Sequence, residues 1–296
     1  MNIGFIGFGE AAYCISKGLQ NHNQVKIVAF DSMESSPLLG QNIRARAKET
    51  GVTLLPDAKE VAKVVDILIA SVPSSHTLDV CRETAEFLRA GQIYADVSAS
   101  TPATKEIIWS ILEPKGALFV DAAMLGSLPL DKHRVPITAS GNGAQAFYEL
   151  MTPLGMRITL AGDRPGAASA IKLIRSVFMK GLAACMYEML QGADAYDVSE
   201  EVIASTAKSL DGIPFIDHLN RLVTSTSLHA FRRAAELKGS IKMLEESSLD
   251  ASMSVAAMHK HELISQYHFD DSKPKSWIDV IEKMRTTKFV EEHACL

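Results

Sequence analysis

At 296 residues the chain is long enough for two domains, each able to bury its own core. Hydrophobic residues at 47% and charged residues at 22% are an ordinary globular composition, which argues against disorder. A formal charge of -5 leaves no basic excess to neutralise a phosphate backbone, so no nucleic-acid partner is expected, and no apolar run reaches the roughly 18 residues of a membrane span.

Met1-Asn2-Ile3-Gly4-Phe5-Ile6-Gly7 has neither a charged leader nor a small-residue cleavage site and enters a strand directly, so secretion is not expected. The first half alternates short apolar runs with helical patterns. Strands are expected over residues 2–6, 24–30, 52–55, 66–71, 92–96 and 116–121, with helices between them, including 78–88 and 103–112. A further strand pair, 136–139 and 157–160, brackets a helix at 144–151. This is the pattern of βαβ units on a parallel sheet. After Gly162-Asp163-Arg164-Pro165-Gly166 the pattern changes to helical periodicity alone, over 167–191, 199–209, 214–225, 231–246, 249–267 and 277–292. The expected division is therefore an α/β domain over 1–163 and an all-helical domain over 164–296.

Cys14, Cys81, Cys185 and Cys295 lack CxxC or His-pair spacing, which argues against a zinc site and a disulfide framework and fits a reducing cytoplasm. His259, His261 and His268 cluster, but residues at i and i+2 do not share a helix face. No metal is expected.

Gly7-Phe8-Gly9-Glu10-Ala11-Ala12 follows an apolar strand and opens a helix, which fits GxGxxG/A in the context that gives it meaning. Such glycines let the backbone turn tightly and approach a pyrophosphate held at a helix N-terminus, while Ala12 is small enough for the helix to pack on the strand. Asp31 ends the second strand, roughly 20 residues on, where a carboxylate accepts hydrogen bonds from ribose hydroxyls and repels a 2′-phosphate. The expectation is a Rossmann-type N-terminal domain that binds NAD through Gly7, Phe8, Gly9, Glu10, Ala11 and Asp31, with NADP not excluded. Val72 and Pro73, after the fourth strand, would line the nicotinamide side.

This layout resembles the β-hydroxyacid dehydrogenases, the group of 3-hydroxyisobutyrate and 6-phosphogluconate dehydrogenases, over most of the chain. Lys172-Leu173-Ile174-Arg175-Ser176-Val177-Phe178-Met179-Lys180-Gly181-Leu182 and His229-Ala230-Phe231-Arg232-Arg233-Ala234-Ala235-Glu236 place it closest to the branch whose helical C-terminal domain is called DUF1932. Asp96-Val97-Ser98-Ala99-Ser100-Thr101-Pro102 is similar to the family's Asp-x-Ser-Thr-x-x-Pro substrate segment, with Ala99 for Thr; the resemblance implies that Ser98 binds the substrate carboxylate. Ser100 and Thr101 also suit the N-cap of a Pro-started helix. Asp121-Ala122-Ala123-Met124-Leu125-Gly126-Ser127 is similar to Asp-Ala-Pro-Val-Ser-Gly-Gly, implying backbone contacts to substrate from Gly126 and Ser127. Gly166-Ala167-Ala168-Ser169-Ala170-Ile171-Lys172 matches the Gly-x-Gly-x-x-x-Lys that carries the family's catalytic lysine, with Ala168 for the second glycine. One turn on, Ser176 stands where the family has Asn.

Independently of the resemblance, Lys172 lies among Ala170, Ile171, Leu173 and Ile174, where desolvation lowers an ammonium pKa towards a range useful for proton transfer. A snorkelling surface lysine is the alternative. Arg175, Arg232 and Arg233 are candidates for a clamp on a second anionic group, or for helix-surface ion pairs. The expected function is an NAD(P)-dependent dehydrogenase acting on the CH–OH of a small, anionic hydroxy acid, active at the domain seam, with Lys172 as general base and Ser176 beside it. The family's habit implies a homodimer formed through the helical domain. An imine reductase on the same scaffold is one alternative, although its relatives usually carry Asp or Tyr at the position of Lys172. A catalytically silent NAD-binding module is the other.

Overall fold

The computed structural model describes residues 1–269 and 273–287, so Cys295 and the end of the helix expected over 277–292 lie outside the described residues. The strands are β1 (Asn2–Ile6), β2 (Lys26–Phe30), β3 (Thr53–Leu54), β4 (Ile67–Ala70), β5 (Ile93–Asp96), β6 (Leu118–Met124), β7 (Ile137–Ser140) and β8 (Ile158–Leu160). They form one sheet in the order β3-β2-β1-β4-β5-β6-β7-β8. Pairing is parallel except between β6 and β7. Helices α1 (Glu10–Leu19), α2 (Gly40–Thr50), α3 (Ala58–Val64), α4 (Thr77–Ala85), α5 (Pro102–Leu112), α6 (Leu128–Asp131) and α7 (Ala144–Met151) lie between strands in the chain.

β4, in the middle of the sheet, is apolar throughout because both faces of the sheet are covered. Ile67 and Ile69 of β4 pack with Phe5, Ile15 and Val120 in one core, while Leu68 and Ala70 pack with Val61, Ile108 and Phe119 in the other. Successive residues of one strand thus serve opposite faces. Thr101 caps α5 through its side chain, with Pro102 at the first helical position.

The chain divides into two compact units, Met1–Val177 and Phe178–Leu296. The sequence sets the division at residues 163 and 164, in the loop before α8 (Ala167–Ala195), whereas the unit boundary falls inside that helix. The reason is local. Ala168 N donates to Ser140 Oγ at 3.0 Å and Ser169 N to Asp121 Oδ2 at 2.8 Å, tying the first turn of α8 to β6 and β7.

The second unit continues with α9 (Ser199–Leu210), α10 (Phe215–Glu246), α11 (Ser252–Ser265) and α12 (Trp277–Thr286). The two helices expected over 214–225 and 231–246 are one helix, α10, kinked at His229, whose φ of -121° and ψ of 17° leave the helical region. Arg233 reaches back across the kink to Thr226 Oγ1 and, at 2.8 Å, to Ser225 Oγ. Arg232 pairs with Glu236 one turn on, both exposed. Arg232 thus makes the helix-surface ion pair, one of its two readings, and Arg233 meets hydroxyls of its own helix. β6 also departs from expectation: it runs past Asp121 to Met124, because antiparallel pairing with β7 carries it three residues further.

Candidate active site

The order of the sheet reverses at β1, which lies between β2 and β4, and a crevice opens at their carboxyl ends where such a reversal occurs. A cavity of about 460 Å³ sits there, lined by Gly7, Gly9, Asp31, Met33, Val72 and Pro73 among others. Of the residues expected to hold the cofactor, Gly7, Gly9, Asp31, Val72 and Pro73 are thus brought together. Phe8 is fully buried in the core, and Glu10 and Ala11 sit in the first turn of α1; all three lie outside the cavity lining.

The two glycines stand in different surroundings. Gly7 has φ +87°, and a Cβ there would lie 2.5 Å from Ser71 O, so both the turn and the neighbouring strand require glycine. A Cβ on Gly9 would meet no protein atom within 4 Å. Packing within the chain does not demand glycine at 9, and the space that a Cβ would fill is open to a ligand. Gly9 is also the N-cap of α1 and supplies no side-chain cap, which leaves the helix N-terminus available to an anion. Asp31 accepts from Phe8 N at 2.7 Å and from Met33 N at 2.8 Å, so its carboxylate braces the glycine turn. Each oxygen retains a lone pair for a ribose hydroxyl. Asp79 and Glu83 also line this cavity, giving it a negative rim. The residues present therefore fit a dinucleotide, and among the described residues no group of three or more His, Cys, Asp and Glu side chains could hold a metal ion.

A second constellation lies where Asp96, the last residue of β5, and Asp121, midway along β6, are register neighbours. Between them sits Lys105 of α5, completely buried with both carboxylates. Its Nζ lies 3.0 Å from Asp96 Oδ2 and 3.5 Å from Asp121 Oδ1, and donates to Asp96 O at 3.1 Å and Ser98 O at 3.0 Å. Thr77 Oγ1 donates to Asp96 Oδ2, while Ser169 gives its N–H and, at 2.7 Å, its hydroxyl to Asp121. Ser98 is buried, with its Oγ 2.5 Å from Ser100 Oγ. Gly166, with φ +83°, presses against Pro102 where α8 begins.

Lys172 projects from the next turn of α8, half-buried. Burial, then the Lys105 ammonium, push its pKa below the ordinary lysine value, and Asp121 opposes them. Ser176 is half-buried one turn on; Arg175, Gly126 and Ser127 are exposed.

Lys105 has no place in the sequence reading. A signal existed: Lys105, Ile108 and Leu112 recur at helical spacing and form the buried stripe of α5. Lysine in such a stripe implies a buried counter-ion.

A family model described as NADP oxidoreductase coenzyme F420-dependent matches residues 2–100, and one described as domain of unknown function DUF1932 matches residues 193–264. A solved conserved protein of unknown function, described as structurally similar to 3-hydroxyacid dehydrogenases, is 30% identical with a TM-score of 0.63, covering 90% of this chain and 97% of that one. The mitochondrial 3-hydroxyisobutyrate dehydrogenase of Drosophila melanogaster is 27% identical over 70% of this chain and 64% of its own. An imine reductase from Bacillus cereus BAG3X2 has a TM-score of 0.72 at 13% identity, covering 97% of this chain and 99% of that one, a likeness of fold alone.

Proposed function

The chain belongs to the β-hydroxyacid dehydrogenase family of NAD(P)-dependent oxidoreductases, in the branch with a DUF1932 helical domain, and on that premise we propose that it oxidises a small anionic hydroxy acid with NAD, Lys172 acting as general base. The observation that carries this reading is Lys172 itself, held half-buried one turn beyond the grip of Ser169 on Asp121 and with its pKa depressed.

When bound, NAD supplies the hydride acceptor. The Gly7–Gly9 turn and the N-terminus of α1 hold the pyrophosphate, and Asp31 accepts from the adenosine ribose. Asp31, Asp79 and Glu83 repel a 2′-phosphate, which favours NAD over NADP. Lys172 Nζ takes the hydroxyl proton as the carbinol hydrogen departs and returns it in the reverse direction. Ser98 and the Gly126–Ser127 backbone bind the carboxylate, which fixes the reacting carbon, and Ser176 and Arg175 meet the rest of the substrate. Ser176 offers one hydroxyl where an amide would offer a donor and an acceptor, so the substrate differs from those of members with Asn there.

The test is NAD and NADP reduction across a panel of hydroxy acids, with cyclic imines and NADPH as a second arm. Turnover of at least one hydroxy acid, with higher kcat/KM for NAD, is the expected result. Turnover confined to imines, or tight NAD binding in calorimetry with no turnover, overturns it.

We also propose that the helical unit forms a homodimer. Several of its large apolar side chains stand in solvent in the single chain, including Tyr187 at 72% and Phe231 at 81% exposure. A soluble monomer rarely leaves much contiguous apolar surface bare. Light scattering at micromolar concentration should give the mass of two 32.1 kDa chains; a single-chain mass would exclude the dimer.

A further inference from the structure

Lys105 is a buried ionisable group that the proposed mechanism does not use. Its ammonium donates to the Asp96 and Ser98 carbonyls and to Ser98 Oγ, stands in ion-pair distance of both carboxylates, and no part of it reaches solvent. Burying charges is costly even when they are paired, and a whole buried ion cluster replaced together by apolar residues of similar volume often loses no stability. A demand other than stability therefore accounts for lysine at this position.

The contacts indicate that demand. Through the Asp96 and Ser98 carbonyls Lys105 fixes the segment that carries Ser98, and through Asp121 it fixes the acceptor that holds Ser169 and so the first turn of α8. The two parts of the site that must face one substrate, the carboxylate segment and the lysine helix, thus share one cation as their common anchor. We propose that Lys105 is a positioning residue for the reaction: it sets the placement of Ser98 relative to α8, the helix that carries Lys172. This assignment rests on Lys172 being the base.

The electrostatics agree. The charged groups acting on Lys172 are Lys105 from α5 and Asp121 from β6, with Asp96 of β5 beyond Lys105, and of the two that act directly Lys105 has the larger effect. Removing its charge leaves the Asp121 carboxylate to favour the Lys172 ammonium.

The experiment is competitive labelling of the full-length protein with acetic anhydride from pH 6 to 11, in which mass spectrometry of the peptide containing Lys172 gives the midpoint at which its amine becomes reactive. Wild type should show a midpoint below that of exposed lysines. In Lys105→Met the midpoint should rise by at least one pH unit, a tenfold smaller neutral fraction at any pH below it. Asp96→Asn/Lys105→Met removes both members of the buried pair and should show the same rise, which keeps the test decisive if the single variant does not fold. A midpoint that stays in place in either folded variant overturns the assignment. Labelling needs no substrate, so a protein that oxidises no hydroxy acid sinks the dehydrogenase reading alone, while an unmoved midpoint sinks the role of Lys105 alone.

Discussion

Replacing Lys172 by alanine is expected to slow hydroxy-acid oxidation by about 10²- to 10⁴-fold, the range that a positioned general base contributes. Binding of NAD should be unchanged, because the cavity beside Asp31 is lined by the ends of β1 and β2 and the turns after them, by the segment after β4 and by α4, and not by α8. The pH profile makes the prediction more specific. The base is the neutral amine, whose fraction grows as pH rises through the Lys172 pKa, and that pKa is pulled down chiefly by burial and then by Lys105. In wild type, kcat/KM for oxidation should therefore fall on the acid side with a midpoint below the ordinary lysine value of 10.5. In the reverse direction the ammonium is the required form, so the fall moves to the alkaline side. Both limbs should vanish in Lys172→Ala, and a small primary amine added to the assay should restore part of the oxidation rate. Unchanged turnover in the variant would remove Lys172 from the chemistry, however well its position suits the role.

The cofactor end of the site was legible because its chemistry is local. Gly7 needs positive φ, Gly9 leaves an open face, and Asp31 needs only to end the second strand, and all three features are written within one βαβ unit. The extent of β6 was less legible. Its last residues are strand because β7 pairs with them antiparallel, and that partner comes from further along the chain. For α10 the pattern pointed to a break near residues 226–230, and the break exists as a kink at His229, but the hydrogen-bond ladder re-forms past it and Arg233 spans it. Lys105 was the hardest to read. A lysine on a helix is ordinarily a surface residue, and its buried reading depends on two aspartates, on the strands before and after its helix, whose register brings them side by side. What a strand-end acid does depends on its neighbour strand, and an isolated motif does not carry that information.

That dependence sets the second large effect. Lys105→Met should destabilise the first unit by about 3–5 kcal/mol, the usual consequence of leaving buried charge without its partner. Two carboxylates remain fully buried, and Asp96 keeps only Thr77 Oγ1 and the Ser98 N–H as donors. Asp121 is better provided for, because Ser169 still gives it two hydrogen bonds. The imbalance between the two acids predicts which second change relieves the loss. Asp96→Asn, added to Lys105→Met, removes the poorly compensated charge and should recover most of the urea midpoint, whereas Asp121→Asn in the same background should recover less and loosen the start of α8. In the double-mutant cycle, Lys105 and Asp96 should therefore show a coupling of at least 1–3 kcal/mol, the upper range for contacting groups. Additive losses at the two sites would mean that the Asp96 carboxylate does not hold the ammonium, which would leave the Asp96 and Ser98 carbonyls and Asp121 as its partners.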